Sequence, residues 1–301
     1  MKKLLAIAIA AGLAAPMAVM ADTTVYGKMK VSVGSNKNAA GDKTTTVDAH
    51  SSRVGLKGSM PMDNGMSVTH KVELATKGIV DASAANGKTL KARDAWVGLK
   101  GGFGEVRVGR HATPFALSSD MFDIMNVGGH AGISDGIATF RVSNAIAYLK
   151  GFGPVGFAAA YVPDETAGVN NDAVSLLGTY KSNGIKAALG YQKIKNAEKA
   201  VNFGLGYALP AGHQVNYVYN QIEDTNTSVK TKSQALNGRY KFGKAYVQAE
   251  IGKTKDVSGT NKVLEFGYGL GKGTTVWTSL GKNGMGGSKA AHTRIGITSN
   301  F

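Results

Sequence analysis

Apolar and polar residues alternate with a period of two along most of this chain. In TTVYGKMKVSV, residues 23–33, Val25, Gly27, Met29, Val31 and Val33 fall on one face, and Thr24, Tyr26, Lys28, Lys30 and Ser32 on the other. VNFGLGYAL sets Val201, Phe203, Leu205, Tyr207 and Leu209 against Asn202, Gly204, Gly206 and Ala208. LEFGYGL sets Leu264, Phe266, Tyr268 and Leu270 against Glu265, Gly267 and Gly269. Successive side chains of a strand point to opposite faces, so this period predicts strands rather than helices. Short turn signals such as PMDNG, KGGFG, KSNG and LGKG alternate with longer polar connections such as NKNAAGDKTTT, PDETAGVNND and TKDVSGTN. About sixteen strands of roughly eight to thirteen residues follow, the length of tilted strands that cross a bilayer. An even strand number puts both chain ends and the short turns at one end, and the long loops at the other.

The two faces differ in kind. A soluble β-sandwich also alternates, but its second face would pack or solvate ordinary surface. Here the polar face is small and hydrophilic, rich in Gly, Ser, Asn, Thr and Lys, which suits a wet lumen. The apolar face carries aromatics near strand ends: Tyr161, Tyr180, Tyr191, Tyr207, Tyr240, Phe242, Tyr268, Trp277 and Phe301. Recurrence of that kind predicts interfacial girdles around a lipid-facing band. The predicted fold is therefore all-β: a transmembrane antiparallel β-barrel.

One segment breaks the rhythm. HATPFALSSDMFDIMNVGGHAGISDG, His111 to Gly136, has neither strand alternation nor a sustained helical face, and it holds acids in a basic protein. A connection this long predicts a functional loop. Its apolar residues Phe115, Leu117, Met121, Phe122, Ile124 and Met125 argue against a loop free in solvent and for packing against a wall.

Composition sharpens the class. Lys2 and Lys3, an apolar run from Leu4 to Ala15 and the small-residue site Val19-Met20-Ala21 read as a secretory leader over residues 1–21, with the barrel over 22–301. An N-terminal anchor is disfavoured, because polar sequence follows at once. The chain has no Cys, so closure of the sheet must supply what disulfides often supply in exported proteins. Net charge is +15, or +13 without Lys2 and Lys3, but the bases are scattered singly along strands. That scatter, together with export, argues against a nucleic-acid partner.

VYGKMKVSV, SSRVGLKGSMPMDNGM, RDAWVGLKGGFGEVRVGRHATPF, FRVSNAIAY and Phe301 resemble the trimeric general diffusion porins of Gram-negative outer membranes, especially the neisserial and betaproteobacterial branch. The resemblance is firm over the first half; the second half matches mainly by pattern. It implies a sixteen-stranded barrel in the cell outer membrane, a homotrimer among outer-membrane lipid and lipopolysaccharide, and a third loop folded inward, here 111–137. The implied function is a water-filled channel for small hydrophilic solutes and ions. The matching motifs place pore-constriction bases at Lys28, Arg53, Arg93 and Arg141, on the first, second, fourth and sixth strands. Lys30, Lys71 and Arg107 are second-tier pore-lining positions, and the loop acids are Asp120, Asp123 and Asp135. Alternation independently puts Lys28 and Arg53 on the inward face. It conflicts at Arg93, since Asp94 and Trp96 would then share the outward face.

The chain also departs from the family. The Pro-Glu-Phe-Gly motif of the enteric loop is absent, and Asp123 sits one position from the expected second acid. Ser299-Asn300 stands where a His is usual, and His70 replaces a lipid- or subunit-facing aromatic. A base ladder opposed by acids across low-dielectric walls creates a transverse field. With bases in excess of acids, the expectation is mild anion preference.

Other classes find less support. His50, His70, His111, His130, His213 and His292 show no metal spacing, and GFGPVG formally matches GxGxxG but holds Pro154 and leads into a strand. Neither a cofactor nor a metal is implied, and no enzyme is expected. A substrate-specific or monomeric channel is the nearest alternative, with an outer-membrane hydrolase or a plugged adhesion barrel further off.

Overall fold

A computed structural model describes residues 23–77, 90–129, 141–166 and 171–301. The leader expected over 1–21, Asp135 and the end of the long loop lie outside the described residues. Among those described, sixteen strands form one antiparallel sheet. They are β1 (Thr24–Lys37), β2 (Lys43–Ala49 and Arg53–Pro61), β3 (Ser67–Ala75), β4 (Lys91–Gly101), β5 (Gly104–Ala112), β6 (Arg141–Phe152), β7 (Val155–Val162) and β8 (Ala173–Ser182). β9 (Ile185–Ile194), β10 (Glu198–Ala208), β11 (Gln214–Asp224), β12 (Lys230–Phe242), β13 (Ala245–Thr254), β14 (Asn261–Gly271), β15 (Thr274–Asn283) and β16 (Ala291–Asn300) complete it.

The sheet closes on itself. Lys28–Lys37 of β1 pairs antiparallel with Ala291–Asn300 of β16. Beyond that ladder, the Gly27 N–H donates to the Phe301 carbonyl at 2.8 Å and the Phe301 N–H returns to Gly27 at 3.1 Å. Closure leaves no edge strand among the described residues, which is how a cysteine-free sheet can satisfy its backbone inside a bilayer.

β2 runs in two segments because of a bulge. Lys28 pairs with Arg53 and Val31 with Ala49, so two residues of β1 face three of β2. Ser51 takes φ 54°, and Ser52 closes the gap by accepting from the Lys30 N–H at 2.9 Å. A second bulge settles the conflict at Arg93. Glu73 pairs with Asp94 and Leu74 with Ala92, which leaves Arg93 as the extra residue of β4. An inserted residue lets two neighbours share a face. Arg93 and Asp94 therefore both point inward, and Trp96 does as well, against the simple alternation.

The outward face carries the predicted apolar rows, with Val201, Phe203, Leu205 and Tyr207 all exposed while Asn202 is fully buried. Eight of the nine girdle aromatics face outward. Trp277 does not: it is buried against Gly296, its Nε1 donates to Thr298 Oγ1 at 3.0 Å, and His50 meets it edge-on. It shares the inward face with Ser279, a parity that counting aromatics near strand ends overlooks. His70 faces outward over Gly58, with Thr23 Oγ1 3.4 Å from its Nε2.

Candidate functional site

Up to Gly129, the described part of the long segment starts later and is more regular than its sequence suggests. His111 and Ala112 still belong to β5, and Pro114–Asp120 forms a short helix, α1. Thr-Pro explains its start. Thr113 caps it by accepting from the Ala116 N–H at 3.1 Å, and proline fits the first helical position, where no N–H bond is required.

The loop is pinned to the inner wall. Phe115, Ala116 and Phe122 are fully buried. Phe122 lies over Gly204, where a Cβ would stand 2.0 Å from its ring, and Ser118 covers Gly190 in the same way. These two glycines on the inner faces of β10 and β9 make the groove that receives the loop. Ala158, Leu177, Ala188, Val218 and Ala235 complete the apolar bed around Phe122. Leu117 is the exception among the predicted packing residues, being 37% exposed toward the lumen.

Polar staples follow the loop around the wall. Ser175 accepts from the Phe115 N–H at 2.8 Å, and Lys186 Nζ donates to the Met121 carbonyl at 2.6 Å. Asn237 Nδ2 reaches the Phe122 carbonyl at 3.1 Å, while Gln248 Nε2 reaches that of Ile124 at 2.7 Å. Glu265, fully buried, accepts from the Asn126 and Val127 N–H groups at 2.9–3.1 Å and from Asn126 Nδ2 at 3.0 Å. Lys30 Nζ donates to the Asn126 carbonyl at 2.9 Å, and Asn261 Nδ2 to that of Gly128. Each of these binds backbone that would otherwise need water.

The bases lie on the wall that the loop leaves uncovered. Lys28 and Arg53 are register partners, and Arg53 Nε stands 3.6 Å from Glu73 Oε2. Arg93 Nε donates to Glu73 Oε1 at 2.5 Å, and Arg141 Nε to Asp94 Oδ1 at 3.0 Å. Lys71 pairs with Asp94 and stands 3.5 Å from Glu73. The structure thus brings Lys28, Arg53, Arg93 and Arg141 into one cluster, tied together by Glu73, Lys71 and Asp94, while Asp120 and Asp123 are exposed on the loop.

The second-tier bases separate. Lys71 belongs to the cluster. Arg107 is held by Glu105 at 2.8 and 2.9 Å and stacks on Trp96 at 4.1 Å, nearer the short-turn end. Lys30 faces inward but is buried, its ammonium engaged by the loop. Between α1 and the basic wall lies a cavity of about 250 Å³, lined among others by Lys71, Trp96, Arg107, Arg141 and Leu117.

Glu73 and Asp94 are the acids that sequence reading missed. Glu73 shares the face of Lys71 by simple alternation, so its position was legible; Asp94 was obscured by the bulge. Asp123 is open to lumen water yet surrounded by the barrel, and that enclosure pushes its carboxyl above the ordinary carboxylate range although the Met125 N–H donates to it at 3.0 Å.

Residues 6–285 match a family model described as Gram-negative porin. Outer membrane porin protein 32 of Delftia acidovorans is 32% identical over 217 residues, which span 65% of this chain and 60% of that relative's length. Major outer membrane protein P.IB of Neisseria meningitidis serogroup B is 26% identical, with 98% of each chain covered. Among solved structures, the anion-selective porin from Comamonas acidovorans aligns with a TM-score of 0.76 at 19% identity, covering 93% of this chain and 99% of that one. Salmonella typhi OmpF in complex with daunomycin aligns at 0.73 and 18%, covering 93% and 97%.

Proposed function

Belonging as it does to the Gram-negative porin family, the chain forms a water-filled outer-membrane channel for passive diffusion of small hydrophilic solutes and is not an enzyme, and we propose that its narrowest section lies between the stapled loop and the basic wall. In this reading Lys28, Arg53, Arg93 and Arg141 line one side, with Lys71 among them, and Asp120 and Asp123 line the other. Lys30 acts as a loop anchor rather than a pore-lining base.

The observation that carries the reading is the run of bases bridged by Glu73 and Asp94 on one stretch of wall, with a cavity of about 250 Å³ between Lys71, Arg141 and the loop residue Leu117. Fixed charges of opposite sign on facing walls orient polar solutes and slow apolar ones, which must shed ordered water. Glu73 and Asp94 neutralise part of the ladder, so the anion preference is mild. Reversal potentials under a salt gradient in a planar bilayer test this. Wild type favours the anion slightly, and Arg53→Glu shifts the preference toward cations; cation selectivity in wild type, or no shift on substitution, contradicts it.

The channel assembles as a homotrimer in this reading. Apart from Phe301 after β16 and Phe103 in the β4–β5 turn, the outward positions from β15 round to β5 carry no Phe, Tyr or Trp among the described residues, whereas β6 to β14 carry the rest of the girdle. An arc with so few interfacial anchors suits contact with another subunit rather than lipid. Native gel migration before and after heating distinguishes trimer from monomer.

A further inference from the structure

The inner wall holds buried polar atoms that neither the loop staples nor the basic cluster uses. They lie toward the loop end of β9, β10 and β11. Gln192 pairs in register with Ala200 on one side and with Ser175 on the other. Glu198 and Asn202 flank Ala200 on the same face, so Gln192 is the diagonal neighbour of both, about 7–8 Å away and within reach of long side chains. Gln192 is 1% exposed, Glu198 9% and Asn202 0%. Ser175 also accepts the Phe115 N–H, so this row belongs to the stretch of wall that carries α1.

Gln192 Oε1 and Nε2, Glu198 Oε1 and Asn202 Oδ1 make no hydrogen bond among the described residues. The Gln192 amide stands beside the Glu198 carboxyl yet forms no bond of good geometry with it. Asn202 Nδ2 donates to Asn220 Oδ1 and to the Tyr219 carbonyl, both on β11, which turns Asn202 Oδ1 toward Gln192. A second carboxylate lies close. Asp224 is the register partner of Glu198, and like charges directly opposite in an antiparallel pair repel. One Asp224 oxygen accepts from the Asn226 and Thr227 N–H groups at 2.8 and 2.9 Å, which fixes the carboxylate while its second oxygen can still coordinate. Glu223, on the opposite face, has Lys230 at 3.5 Å, whereas among the described residues no base pairs with Glu198 or Asp224.

A buried carboxylate with neither a base nor a full set of donors is costly, and a second acid opposite adds to the cost. Oxygen donors suit a hard cation, and two carboxylates suit a divalent one. Calcium accepts irregular oxygen cages, whereas magnesium demands a near-ideal octahedron that side chains held on three separate strands do not supply. A cavity of about 530 Å³ at the loop end, lined among others by Glu198, Asp224, Ile222, Thr227 and Thr231, gives an ion and its water a way in. We propose that Glu198, Asp224 and the Gln192 carboxamide oxygen bind a calcium ion. One ion satisfies the whole set: Glu198 Oε1 and Gln192 Oε1 turn to it, and Gln192 Nε2 then donates to Asn202 Oδ1. Bound there, it braces β9, β10 and β11 beside the Ser175–Phe115 anchor of α1.

The test uses the full barrel in detergent, stripped with EDTA and dialysed against radiolabelled calcium chloride. Wild type binds calcium, equimolar magnesium does not displace it, and added calcium raises the heat-unfolding midpoint. Glu198→Gln weakens binding by about tenfold or more, since losing a ligand's charge costs at least what losing an outer-shell partner does. It also abolishes the calcium-dependent rise. Asp224→Asn, at the exposed end of the site, gives a second variant with the same expected loss, and Glu223→Gln, on the opposite face, changes neither readout. Single-channel steps show that each variant has folded. Failure of wild type to bind calcium overturns the proposal and makes Glu198 a protonated acid. Binding that survives undiminished in both site variants overturns it and places the ion elsewhere, as at Asp120 and Asp123. Equal binding of magnesium overturns the assignment to calcium.

Discussion

The Glu265 carboxylate accepts both the main-chain and the side-chain N–H of Asn126, at 2.9–3.0 Å, across 139 residues of sequence. One wall residue thereby fixes the middle of the loop. Charge-assisted bonds are the strong ones, and a buried carboxylate with these donors has no water to replace them. Glu265→Gln removes the charge and turns one acceptor into a donor facing N–H groups. A loss of about 2 kcal/mol in local docking is expected, which is roughly 30-fold in the open fraction. Amide hydrogen exchange at Asn126 and Val127 should accelerate by that order, with noisier single-channel current. Unchanged exchange would show that the other staples suffice.

Arg294 predicts a separate effect on stability. Its guanidinium is almost wholly buried at the junction of β16, β1 and β2. Nε donates to Ser32 Oγ at 2.7 Å, Nη1 to Asn36 Oδ1 at 2.7 Å, and Nη2 stands 2.5 Å from Asp48. Removing one partner of such a pair strands the other groups, a cost of about 3 kcal/mol or more. Arg294→Ala should lower the heat-unfolding midpoint in detergent while conductance of the surviving channels stays near wild type. Altered selectivity with unchanged stability would place Arg294 in the pore instead.

How much of this was legible in the sequence depends on distance along the chain. Strand alternation is local, so the inward positions of Lys28, Arg53 and Glu265 could be read from VYGKMKVSV, SSRVGLKG and LEFGYGL. The loop stood out by length and composition. What Glu265 binds could not be read, because its partners lie 139 residues away on a segment with no periodicity. Bulges defeat a period-two count, so Arg93 and Asp94 could not both be placed. Trp277 was misassigned because aromatic character near a strand end says nothing about parity. Gly204 looked like lumen filler, and only the seated Phe122 ring shows that it leaves room for the loop.

Acidification gives a signed prediction. The Asp123 carboxyl is held above the ordinary carboxylate range, so it takes up its proton at a higher pH than an ordinary aspartate. The loop then loses one negative charge, and the bases opposite are less compensated. The chloride-to-potassium permeability ratio should rise as pH drops toward that range from neutrality. Asp123→Asn should show the higher ratio already at neutral pH and lack this first step. The same step in the variant would assign it to another group.

Single-channel conductance of Leu117→Trp tests most directly whether the stapled loop sets the aperture. Leu117, with Pro114 beside it on α1, faces the cavity opposite Lys71, Arg107 and Arg141, and it is the exposed one of the two. A larger ring on a docked loop has only that space to fill. Conductance should fall by about half or more, with the direction of ion selectivity retained, since pore radius acts separately from wall charge. Conductance equal to wild type, in a variant that still forms heat-resistant barrels, would contradict a constriction at this loop.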